Sequence, residues 1–318
     1  MKARMKTPMK TNDRDFRLER FAALLAASAL LVSLSLPANA FADSKKKSAG
    51  DGAPPNTKAL VQKMVENEIK AENDDPTHWR FSRTNVKSGV SKTYDVIETK
   101  KGEVQRLVAI NGHPLNAEQQ REEQERMQKF LSDSEEQAKR KASASKDYKK
   151  EQDLMKMLPN ALLYTYAGRQ GDLVKFNFKP NPSFHATNRQ AEVFHHMAGI
   201  LVIDTKTNRL AEFSGRLTSS VKFGYGILGY LDGGGTFDVK QQDVADRHWD
   251  LTLLETNITG KELFFKSIAV REKIMEGNYQ RVSDDLTLEQ AANLLKSSQG
   301  RSASEAEASA ANSGRDPQ

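Results

Sequence analysis

From Ala161 to Val282 the chain alternates, segment after segment, between apolar and polar residues. In 209–218, Ala211, Phe213, Gly215 and Leu217 alternate with Glu212, Ser214, Arg216 and Thr218. Val221, Phe223, Tyr225 and Ile227 carry the pattern on, followed by Phe237 and Val239, then by Trp249, Leu251 and Leu253. A period of two sends alternate side chains to opposite faces of a strand. Ala161–Tyr166, Leu173–Phe178, Phe194–Ile203 and Leu263–Val270 read as further strands. Turns at Gly168–Gly171, Asp204–Asn208 and Asn257–Gly260 join them closely, so neighbours in sequence pair antiparallel. One face is apolar and the other polar, so one face is covered or lines a cavity.

The segment before this meander is mixed. Leu60, Val61, Met64, Val65 and Ile69 recur at helical spacing, and Asp74-Asp75-Pro76 ends that helix. Residues 78–87, 91–99 and 103–110 are rich in β-formers and lead to the turn Asn111-Gly112. The insert 116–157 is different: it is almost all Glu, Gln, Lys, Arg, Ser and Ala. Asn116 and Gln119 are placed to cap a helix. Apolar contacts gather at the ends of the insert, at Met127, Phe130 and Leu131 and at Leu154, Met157 and Leu158. The spacing predicts two helices, or one bent helix, with a solvated centre over 132–153. A last helix, 288–297, opens on the capping pair Thr287 and Gln290 and carries an apolar stripe at Leu288, Ala291, Ala292 and Leu295. Residues 41–56 read as a linker and 298–318 as a disordered tail, which leaves one domain over 57–297.

Residues 1–40 have the grammar of a cleavable export signal. Seven basic residues precede or flank the start of an apolar run from Phe21 to Leu36, which ends in Pro37-Ala38-Asn39-Ala40. Ala40-Phe41-Ala42 is a second possible cleavage site. The expected location is periplasmic or secreted, with no membrane span in the mature chain. The targeting segment holds seven basic and three acidic residues, so the +6 of the whole chain falls to +2 without it. Such a balance does not suggest a nucleic-acid partner. The chain has no cysteine, which excludes disulfides, thiolate metal sites and lipid attachment at cysteine.

No catalytic constellation emerges. Gly224-Tyr225-Gly226-Ile227-Leu228-Gly229 spells a dinucleotide motif, but no helix follows to receive a pyrophosphate. On a strand, His195 and His196 would point to opposite faces and could not share a metal ion. No serine sits in a nucleophile motif. We therefore expect no enzyme, no metal and no cofactor.

The aromatic residues of the alternating face are the remaining candidates. Phe213, Leu217, Phe223, Tyr225, Phe237, Val239, Trp249, Leu251 and Leu253 either form an ordinary sheet core or line a groove. The layout of helix, antiparallel meander, helical insert and closing helix resembles the periplasmic lipoprotein-carrier superfamily, which includes the lipoprotein-sorting chaperone LolA and the sigma-factor regulator RseB. Leu201–Leu210 and Gly215-Arg216-Leu217 resemble its strand–turn–strand unit, and Val221–Gly229 resembles a segment of uncharacterised exported bacterial proteins with the same layout. The resemblance implies an α+β fold, a curved antiparallel sheet forming an unclosed barrel around helices. It also implies a concave side that holds a lipid, an acyl chain or a lipoprotein. The long charged insert departs from the carrier itself. It suggests an alternative, an envelope scaffold or sensor that meets a protein partner through the insert.

Overall fold

A computed structural model describes residues 54–223, 229–245, 247–262 and 266–297. The expected signal peptide, most of the linker, the tail, Tyr225 and the centre of the glycine run lie outside these residues.

Helix α1 (Thr57–Asp74) begins where the Asn56 side chain accepts from the Ala59 N–H at 3.0 Å. It stops at Asp75, whose extended backbone is favoured by the following Pro76. Strands β1 (His78–Lys87), β2 (Val90–Thr99), β3 (Gly102–Ile110) and β4 (His113–Pro114) follow. The insert forms α2 (Ala117–Ser132) and α3 (Ser134–Met155), then a single turn, α4 (Leu158–Ala161). Asp133 separates α2 from α3. Its non-helical backbone closes the first helix, and its carboxylate caps the second by accepting from the Glu136 N–H at 2.8 Å. The expected capping pairs Asn116–Gln119 and Thr287–Gln290 both form reciprocal hydrogen bonds.

The remaining strands are β5 (Leu162–Gln170), β6 (Leu173–Pro180), β7 (Met197–Asp204), β8 (Arg209–Leu217), β9 (Val221–Phe223), β10 (Gly229–Leu231), β11 (Thr236–Ala245), β12 (His248–Glu262) and β13 (Lys266–Val282). Helix α5 (288–297) closes the described chain. All 13 strands join one antiparallel sheet, whose main path runs β4-β3-β2-β1-β13-β12-β11-β8-β7-β6-β5. The two ends of this path do not pair, so the barrel is unclosed. The fold is α+β, a curved antiparallel sheet that carries helices.

Three local departures from strict alternation matter. Residues Gln190–His196 form a 3-10 helix rather than the start of a strand, so His195 and His196 are not on opposite sheet faces. Ala211 is the extra residue of a bulge opposite Val202 and Ile203, and Leu210 takes the inward place. A second bulge at Thr252 shifts the pairing from Lys240–Leu253 to Gln241–Leu251. It reverses the parity of β12, so Leu251 and Leu254 face the core together while Leu253 faces the other way, beside exposed Met275.

The concave face of the sheet packs against α1 and α4. Val61, Met64 and Val65 of α1 meet Phe176, Phe178, Leu201, Phe213, Phe237 and Val239 in one continuous buried cluster. Each large apolar side chain buried in this way contributes roughly 1.5–3 kcal/mol. A second cluster sits on the outer face, where Ile97 and Val104 meet Met127 of α2 and Leu288, Ala291, Ala292 and Leu295 of α5.

The close packing of β7 on β8 depends on glycine. A Cβ on Gly199 would lie 2.0 Å from the Ser214 carbonyl oxygen, and one on Gly215 would lie 2.5 Å from that of Ala198. These two glycines are cross-strand partners.

Candidate functional site

The sequence-derived groove residues divide. Phe213, Leu217, Phe223, Phe237, Val239 and Leu251 come together in the main core, all at most 3% exposed. Phe213 stacks on Phe178 at 4.9 Å and tilts against Phe237 at 5.3 Å. They share one buried cluster with Val61, Met64 and Val65 of α1. Leu253 leaves the group because of the Thr252 bulge, and Tyr225 lies outside the described residues. Trp249 is only half-buried and lines a polar cleft instead.

That cleft, of about 440 Å³, lies between the C-terminal end of α1 and the first residues of β1 and β12. His248 is central to it. Its Nδ1 lies 3.1 Å from Asp75 Oδ2, and its Nε2 lies 3.3 Å from Asp250 Oδ2. The ring stacks on Trp79 at 4.4 Å. Burial works against the charge on Asp75, but hydrogen bonds from Thr77 and the nearby His248 outweigh it and hold its pKa below the usual value. Arg247, at φ +67°, turns the chain into β12 beside them. Both nitrogens of His248 face carboxylates, so neither is placed to activate a nucleophile. The arrangement ties α1 to β12.

Farther along the inner face the sheet is charged. Arg83 of β1 is fully buried. Its Nε donates to Glu276 Oε1 at 2.6 Å, and its Nη1 and Nη2 donate to the two oxygens of Glu103 at 2.8 and 3.2 Å. Burial, the largest influence, disfavours the guanidinium charge. Glu103 and Glu276 more than compensate, and the pKa rises above its ordinary value. Phe81 lies under the same guanidinium, 5.1 Å away. Simple alternation on β1 places Arg83 on the side of Trp79 and Phe81, so an inward charge was readable from sequence. Its partners, from β3 and β13, were not.

A second cavity, of about 320 Å³, opens where α3 passes over the β2–β3 turn. Glu98 and Glu103 line it from the sheet, and Phe130, Arg140 and Tyr148 from the helices. Arg140 packs over the Phe130 ring at 5.2 Å. The Tyr148 hydroxyl donates to Asn73 Oδ1 of α1 at 3.1 Å, and burial pushes its pKa up to about 12.

Helix α3 itself joins the two ends of the sheet. At one end α2 covers the edge of β3: Glu123 accepts from the Leu107 N–H, and Arg126 donates to the Gln105 carbonyl. At the other end α4 leads directly into β5. Between them α3 spans roughly 33 Å at the usual helical rise. Of its residues only Glu151, Leu154 and Met155 are buried. Its middle carries the ion pairs Glu135–Lys139, Glu136–Arg140, Asp147–Lys150 and Lys149–Asp153 along its own length, and meets other elements only through half-buried polar side chains such as Gln137, Arg140 and Tyr148.

Among the described residues, no group of three or more His, Asp or Glu is placed to hold a metal ion. Among the same residues, no helix is long and apolar enough to cross a membrane. No family model matches the chain, no curated protein is significantly similar to it, and no solved structure matches its fold. None of these comparisons supports the expected resemblance to lipoprotein carriers.

Proposed function

We propose that this chain is a non-enzymatic, exported envelope module that acts by contact with a protein partner through α3. One observation carries this reading. A helix of 22 residues spans the gap between the sheet ends while burying only three side chains, at its C-terminal end. A helix kept only for stability would bury an apolar stripe. This one presents Lys139, Ala142, Ser143, Lys146 and Lys150 outward along one face.

A second reading, a carrier for lipid, acyl chain or lipoprotein, is favoured by the unbroken apolar inner face from β6 to β12. There the ligand would have to displace α1, because α1 already fills that face.

The two readings separate experimentally. A photo-crosslinker at Ser143 of the full chain, in an exporting host, should trap one partner of defined mass. Replacing Ala142 and Lys146 by Glu on the same exposed face should abolish the adduct without loss of folding. No adduct from Ser143, together with co-purifying lipid in native mass spectra, would replace the first reading by the second.

A further inference from the structure

The cavity beneath α3 has the size of a small-molecule site. Its volume of about 320 Å³ falls at the lower end of the roughly 300–1,000 Å³ that such sites occupy. Its lining sorts by depth. At the floor, Glu98 is 1% exposed and the Glu103 side chain 6%. The two are cross-strand partners on β2 and β3. Glu98 accepts from the Trp79 N–H, and Glu103 accepts from Arg83 through both oxygens, so both carboxylates already serve the sheet. Phe130, Ala144 and the ring of Tyr148 supply apolar wall.

At the mouth the exposed charges are mostly positive. Lys100 is held by Asp285, and Arg140 by Glu136. Lys101 of the β2–β3 turn and Lys141 of α3 form no ion pair among the described residues. The one exposed carboxylate of the lining, Glu72, belongs to α1 and acts on the Tyr148 side.

We propose that this cavity binds a small organic anion. Its carboxylate or phosphate group meets Lys101 and Lys141, and its compact apolar body lies against Phe130, Ala144 and Tyr148. The floor excludes the reverse orientation, because an anion placed there would meet the buried Glu98 and Glu103 with no water to screen it. One ammonium comes from the sheet and the other from the helix. The bound anion therefore joins α3 to the β2–β3 turn, in the part of the helix that buries no side chain of its own. The inference is independent of any partner on the outer face of α3.

Thermal melting of the full chain with millimolar phenylacetate or phenyl phosphate tests the site, with 2-phenylacetamide as the neutral isostere of the first. At least one anion should raise the melting midpoint with saturation, and the amide should not. Which anion does so distinguishes a carboxylate site from a phosphate site. Replacing Lys101 and Lys141 together by Met should weaken binding of that anion about tenfold. Ala144→Phe, which fills the cavity from the helix, should abolish it. Lys149→Met, on α3 but outside the lining, should leave it unchanged. A midpoint indifferent to both anions overturns the proposal. So does an equal response to the amide, or binding that survives the lysine pair. Should Ala144→Phe unfold the chain, the lysine pair, both members of which are exposed, decides the question by itself.

Discussion

The Tyr279 hydroxyl lies 3.0 Å from the Leu251 carbonyl oxygen, on a strand that has stopped pairing with its own. The β12–β13 ladder ends at Leu253–Met275, and beyond it the two strands separate. A bulge at Asn278 and Tyr279, with Asn278 at φ +59°, turns the tyrosine toward the gap. The same hydroxyl is 2.9 Å from Glu276 Oε2, so its one proton is donated to one acceptor at a time. The ring stacks on Phe81 at 4.9 Å. Tyr279→Phe keeps the stack and removes the bridge. It should cost about 1 kcal/mol, the usual net worth of such a bond. Urea unfolding, with an unchanged m-value, measures it.

Arg83 makes a larger prediction. Removing one partner of a buried ion cluster strands the others, at a cost of about 3–5 kcal/mol. Arg83→Met should therefore lower the urea midpoint strongly. Adding Glu103→Gln and Glu276→Gln to that variant should recover much of the loss. A triple variant no better than the single one would mean that packing of Arg83, not charge, sets the cost.

Glycine at 199 is steric. Gly199→Ala must push the Ser214 carbonyl aside and part β7 from β8. The loss should be at least the 1–3 kcal/mol, roughly, of an overpacked core. Gly277→Ala meets nothing within 4 Å and has no left-handed φ, so its melting temperature should stay near that of the native chain.

His196 gives a pH dependence. Burial, with help from His195, lowers its pKa below the ordinary histidine value. The folded chain then binds fewer protons than the unfolded one as pH falls through about 6.5. The associated stability is complete above that unfolded value and is lost as pH falls toward the lowered folded one. His196 Nδ1 also lies 2.8 Å from Ser219 Oγ. His196→Gln can keep a hydrogen bond to Ser219, and it should flatten the fall in urea midpoint between pH 7.5 and pH 5.5.

Local signals carried most of the architecture. Asn116 and Gln119, Thr287 and Gln290, and the turn Asn111-Gly112 each act over a few residues, and each is realised in the fold. Alternation found the strands but not their parity errors. Ala211 and Thr252 are ordinary strand residues, and only the register of neighbouring strands makes them bulges. Leu253 was misplaced for the same reason, whereas Trp249, near the start of β12, falls in the polar cleft beyond the end of the core. The polar cleft was illegible because its central contact joins Asp75 to His248, 173 residues apart. The charge of α3 was plain in the sequence. Its course between the sheet ends was not, since that follows from the strand order.

The strand order also governs when this chain can fold. β1 pairs with β13, and His78 donates to Asp284 across 206 residues. β1 thus has no second neighbour, and β1 to β4 no strand joining them to the rest of the sheet, until nearly the whole chain is present, and closing so long a loop is entropically slow. A chain made from its N-terminus presents these strands before the partner that joins them to the rest of the sheet exists. Until β13 is made, strands β1 to β4 are the part of the described sheet most in need of a holdase, and most open to proteolysis.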